Sequence, residues 1–83
     1  MIVKVENVEV RGCEQKTSRK EGAPDFLVVR MEDSTGKPFE VLDRDLERKA
    51  SWQRGLQGDL FARLEIGNKF TRFEVSDFAA ATE

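Results

Sequence analysis

The chain has no histidine and no tyrosine, one cysteine, one tryptophan and two prolines in 83 residues. Without histidine it lacks the usual general base, the usual metal ligand and any Ser-His or Cys-His nucleophile pair. A lone Cys13 excludes an internal disulfide and a multi-cysteine metal site. No stretch approaches the roughly 20 apolar residues of a membrane helix, and no signal-peptide pattern precedes the first strand pattern. These absences favour a cytoplasmic binding module over an enzyme, with no catalytic residue, cofactor or metal expected and no membrane partner.

What is present is a polar chain, 36% charged and 39% hydrophobic, whose apolar residues fall in short dense runs, unlike a disordered tail. Its length suits one domain, with a small core. The net charge of −2 carries no nucleic-acid signal as a whole. The distribution says more. Arg11, Lys16, Arg19 and Lys20 stand against Glu14 in residues 11–20, whereas residues 31–60 lean acidic. A basic end beside an acidic middle is either a binding face or an ordinary solvated surface.

Residues 2–10 alternate with the strand period, but the phase slips between Val5 and Val8. A long strand with such a slip predicts a bulge or sharp bend, which lets one strand join two sheets. Gly12 is a kink or an end. Residues 11–25 read as a long mobile loop or as a loose hairpin extension. Phe26 to Met31 is a strand with Leu27, Val29 and Met31 inward and Phe26, Val28 and Arg30 outward. After a turn at 33–37, Pro38 opens a third strand.

Asp43 or Asp45 can cap a helix of about ten residues, with Leu46 and Ala50 on its buried face and Gly55 as its stop. Trp52 points away from that face. Residues 60–75 read as a hairpin around a two-residue Gly67-Asn68 turn. That register sets Leu60 opposite Val75 and Leu64 opposite Thr71 on the inner face. Outside, it sets Arg63 opposite Arg72, a destabilising like-charge pair that a phosphate would relieve. Residues 79–83 read as a frayed tail. Phe39 and Phe73 are the best aromatic core candidates.

Three strands, a short helix and two strands predict a mainly β protein: a single five-stranded OB-fold barrel over residues 1–83, with the helix between strands 3 and 4. An SH3-like barrel is the main alternative. Asp43 and Asp45 could ligate Mg²⁺ as in a nuclease, but capping explains both without a metal. Cys13 is either a thiol activated by Arg11 and Lys16 or a small filler. The stronger pattern is aromatic platforms beside cations, as single-stranded nucleic acid requires. Phe26 and Arg30 lie on strand 2, the 11–20 stretch is basic, and Phe61, Arg63, Phe70 and Arg72 face outward on the hairpin. Glu65 and Glu74 can instead neutralise the hairpin arginines, and Phe61, Phe70 and Trp52 can instead meet a partner subunit.

The order of elements, the opening MIVKVENVEV and the closing GDLFARLEIGNKFTRFEVSDF resemble the small OB-fold single-stranded DNA-binding proteins of phages and mobile elements. The resemblance covers most of the chain as a pattern. It implies sequence-independent binding of single strands, DNA or RNA, by a homodimer. It places contacts at Phe26, Arg30 and the bases of 11–20. The acidic balance and the lack of tyrosine depart from that family. The expected phosphate ligands are Arg11, Lys16, Arg19, Lys20 and Arg30, with Arg63 and Arg72 in second rank and Phe26 as the stacking residue. A protein-interaction module is the alternative function.

Overall fold

The computed structural model describes residues 1–68 and 71–81. Five strands run in order: β1 (Ile2–Lys16), β2 (Phe26–Glu32), β3 (Pro38–Asp43), β4 (Gln57–Ile66) and β5 (Thr71–Ala80). A 3-10 helix, Leu46–Ser51, lies between β3 and β4. The protein is thus mainly β, one five-stranded sheet with one short helix.

The strands pair in the order β1-β2-β3-β5-β4, and β4 pairs back onto β1. Neighbours are antiparallel except β3 and β5, which run parallel and meet at one bridge, Leu42 with Glu74. The long first strand makes the closure possible. Its first part pairs with β4 and its second with β2, the two meeting at Glu9. The predicted bulge falls between Val5 and Val8, where Asn7 takes a positive φ of 57°. One extra residue there keeps Val3 and Val5, then Val8 and Val10, on the inner side of the sheet. A second irregularity lies between Val10 and Gly12.

The interior holds Val8, Val10, Leu27, Val29, Met31, Val41, Leu60, Ala62, Val75 and Trp52. The inward assignment of Leu27, Val29 and Met31 is therefore correct. Fully burying such a side chain is worth about 1.5–3 kcal/mol, which makes these strands the main stabilising mass of a small domain.

Several expectations are corrected. Of the two readings of residues 11–25, the hairpin extension holds for 11–16, where Gly12 to Lys16 pair with Arg30 to Phe26; only 17–25 connect β1 to β2. Residues 79 and 80 are strand rather than tail, and the Ala81 N–H donates to the Gln57 carbonyl at 2.8 Å. The helix is six residues of 3-10 form with none buried, so Leu46 and Ala50 do not anchor it. What anchors that segment is Trp52, just beyond it. Its ring packs edge-on to Phe78 at 5.2 Å and its Nε1–H donates to Asp43 Oδ2 at 2.8 Å. Asp45 is the N-cap, accepting from the Glu47 N–H.

The hairpin register also differs. Within it Arg63 faces Glu74 and Glu65 faces Arg72, so no like-charge pair forms. Ile66 pairs with Thr71, which makes the connection four residues long instead of two. A further register shift between Phe61 and Ala62 leaves Ser76 as the extra residue on β5. Phe39 packs against the core, whereas Phe73 is 36% exposed.

Candidate functional site

Alternation along β1, β2 and β3 fixes the outer face of this part of the sheet. Register places Lys16 beside Phe26, Glu14 beside Val28, and Gly12 beside Arg30. On the other side of β2, Val28 meets Leu42 and Arg30 meets Glu40. The face therefore carries partly exposed Phe26, Val28 and Leu42 with Arg30 among them. Lys16, Arg19 and Lys20 are exposed at the strand end and in the 17–25 connection above it. Residues 11–30 hold five bases and three acids, against nine bases and thirteen acids in the remainder.

Arg30 is the best placed of these cations. It lies opposite Glu40 in register but makes no ion pair with it; its guanidinium lies instead toward β1, over Gly12. Arg11 is different. It is engaged by Glu9 at 3.0 Å and by Glu32 at 3.4 Å, so its charge is largely met within the protein. A surface depression of about 630 Å³ beside Arg30 is lined by Arg11, Arg54, Glu32, Glu40 and Phe39 among others. Arg54 was not singled out from the sequence. It reaches this place because the Gly55 N–H donates to the Val10 carbonyl at 2.8 Å, and the Val10 N–H to the Leu56 carbonyl at 2.8 Å. No local pattern signals such a long-range pairing.

The hairpin candidates are arranged otherwise. Arg63 and Arg72 each face a glutamate, and Glu74 is also bound by Arg44 at 3.0 Å. The Phe61 ring lies under Lys4 Nζ at 5.7 Å, a cation–π contact within the chain. Phe70 lies outside the described residues. Trp52 is 5% exposed and belongs to the core, which corrects its outward assignment. Cys13 faces inward against the core, and burial pushes its thiol above the usual value. An activated thiolate is thus disfavoured. Asp43 is 2% exposed and accepts from Trp52 and from the Asp45 N–H at 3.0 Å. Its carboxylate is committed to holding the helix segment. Among the described residues no group of three or more Cys, Asp or Glu is placed to hold a metal ion, and no helix is long and apolar enough to cross a membrane.

Comparison with protein-family models, with curated proteins and with solved structures finds no match for this chain. The functional reading rests on the geometry above.

Proposed function

We propose that the chain is an OB-fold protein that binds single-stranded nucleic acid without sequence preference and without catalysis. The strand order supports the fold: β1-β2-β3-β5-β4 returning to β1, β3 parallel to β5, and a short helix between β3 and β4. Proteins of that fold bind oligonucleotides on strands 2 and 3 and the adjoining loops. The observation that carries the function is the outer face of β1–β2–β3. It combines Phe26, Val28 and Leu42 with an arginine that has turned away from its facing acid, below a basic connection. Base stacking on an aromatic contributes roughly 1–3 kcal/mol per base, and cations follow the phosphates.

The test is fluorescence anisotropy of a labelled 30-mer oligo-dT at low and high salt. The expected result is binding whose log–log salt slope is about 0.7 per phosphate neutralised. No binding at micromolar protein and low salt overturns the proposal. An RNA oligomer of the same length, oligo-U, separates DNA from RNA preference.

A second reading has its own observation. The inner face of the β4–β5 hairpin continues past the core, where Ile66 is 72% and Phe73 36% exposed, and Met1 is 75% exposed. Such a strip fits a protein-interaction surface, a second copy of the chain included. Sedimentation velocity tests this: a dimer that Ile66→Asp dissociates favours it, and a monomer at all concentrations removes the homodimer.

A further inference from the structure

Gly12 has a glycine where neither the backbone conformation nor the backbone packing asks for one. The glycines with positive φ are Gly22, Gly36 and Gly55, so Gly12 is not in the left-handed region that favours glycine. The three atoms nearest a Cβ built on Gly12 all belong to the Arg30 side chain: Nη2 at 2.8 Å, Nε at 3.4 Å and Cζ at 3.5 Å. The first distance is shorter than real Cβ contacts. An alanine would thus force the guanidinium to move, and its freedom at the end of a long side chain makes that move cheap for the fold.

Four further facts give the contact a purpose. Glu40 lies across from Arg30 on β3, the side away from β1, yet the guanidinium rests over Gly12 rather than on that carboxylate. The register shift between Val10 and Gly12 sets Gly12 directly beside Arg30, on the outer face. The backbone pairing of Val10 with Gly55 and Leu56 brings Arg54 to the same depression. Among the described residues neither Arg30 nor Arg54 has a carboxylate within ion-pair distance.

We infer that Gly12 is a positioning residue that seats the Arg30 guanidinium across β1, so that Arg30 and Arg54 together present a subsite for one backbone phosphate of the bound strand. The inference rests on the nucleic-acid reading above. The planar guanidinium offers paired N–H donors matched to a phosphate, and laying it over a bare Cα holds its orientation before the ligand arrives. Arg54 adds a second donor from a different element. The glycine is a space reserved for a side chain rather than a hinge.

The test is a double-mutant cycle on oligo-dT binding with Gly12→Ala, Arg30→Ala and the pair, alongside thermal melts of each. Gly12→Ala is expected to leave the melting temperature within about 2 °C and to weaken binding roughly fivefold, with Arg30→Ala costing about tenfold. In the Arg30→Ala background the Gly12→Ala change is expected to have no effect. Gly12→Ala is also expected to lower the salt slope by about the 0.7 of one phosphate, a change that a general loosening of the fold would not produce. Arg54→Ala is expected to lower it by the same amount. In the free protein, the Arg30 Nε–Hε resonance is expected to shift in Gly12→Ala. An unmoved resonance, or additive losses in the cycle, overturns the seat while leaving nucleic-acid binding intact. An unchanged slope in Arg54→Ala overturns the shared subsite. If the wild type binds no oligomer, the functional reading and this inference both fall.

Discussion

The outer face of β1–β2–β3 and the outer face of the β4–β5 hairpin both carry arginines, and they dispose of them in opposite ways. On the hairpin Arg63 faces Glu74 and Arg72 faces Glu65, each base set against an acid by the register. On the other face Arg30 also has a glutamate across from it, but the guanidinium lies over a glycine instead. Opposite charges facing across antiparallel strands contribute roughly 0.2–1 kcal/mol to the sheet. An arginine that forgoes such a pair contributes little to the fold and keeps its donors for something else. Arginines alone therefore do not make equal surfaces.

The same contrast divides two glycines, and the largest expected effect comes from exchanging them for alanine. A Cβ on Gly58 would lie 2.3 Å from the Ala79 carbonyl oxygen and 2.9 Å from the Ala80 Cα, both backbone atoms of β5. Backbone in a closed ring of strands cannot step aside. Gly58→Ala is expected to cost at least ~2 kcal/mol, in the upper part of the range for overpacked sites, seen as a lower urea midpoint. Gly12→Ala is expected to change that midpoint hardly at all. Trp52 is the sole tryptophan and is buried against Asp43, so its emission follows the unfolding directly. Equal losses in the two variants would break the distinction.

Next in size is the difference between arginines. Arg30→Ala is expected to weaken oligo-dT binding about tenfold, ~1.4 kcal/mol, and Arg63→Ala less than threefold. Both sit on the surface, and their effects on stability are expected within about 0.5 kcal/mol. A larger loss for Arg63→Ala would move the binding face to the hairpin. A smaller effect is expected of Glu40→Gln, which removes an acid beside the proposed phosphate track: binding tightens about twofold at low salt, and the gain fades as salt rises. Weaker binding in that variant would mean that Glu40 holds Arg30 in place after all.

Much of this was legible in the residues. The slip between Val5 and Val8 announced the bulge that lets β1 serve two partners, because strand alternation has a period of two and any slip must be absorbed somewhere. The same alternation picked out Leu27, Val29 and Met31, and the acids before the helix offered two caps, Asp43 or Asp45, of which Asp45 serves. The hairpin register was not legible. Gly67-Asn68 has the chemistry of a two-residue turn, but Ile66 pairs with Thr71, two residues further along the chain than such a turn allows, and Ser76 bulges; register is a property of both strands together. Helical spacing turns Trp52 outward, but the helix ends at Ser51 and the segment turns inward to reach Asp43 and Phe78. The seat at Gly12 and the arrival of Arg54 depend on contacts between distant parts of the chain, which no local pattern encodes.

The smallest expected effect concerns the tie at the end of the proposed binding face, where β2 turns into β3. Asp33 Oδ1 accepts from the Thr35 hydroxyl at 2.6 Å and from the N–H groups of Thr35 and Lys37 at 2.9 Å each. The Thr35 hydroxyl first, then the Lys37 N–H, hold its carboxyl below the ordinary value of 3.8. A carboxyl that is more acidic in the folded state stabilises that state when ionised. Its contribution is present above the unfolded value and is lost as pH falls through the folded one, so the loss lies below about pH 4. Asp33→Asn keeps an acceptor oxygen and cannot ionise. The gap in urea midpoint between wild type and this variant is therefore expected to be small at pH 6 and smaller still near pH 3. A gap that stays constant with pH would mean that the charge on Asp33 contributes nothing to the turn. An amide spectrum at pH 3 locates the change: loosening is expected in residues 33–37 and their β2 and β3 neighbours, while the self-neutralising β4–β5 face supplies the comparison.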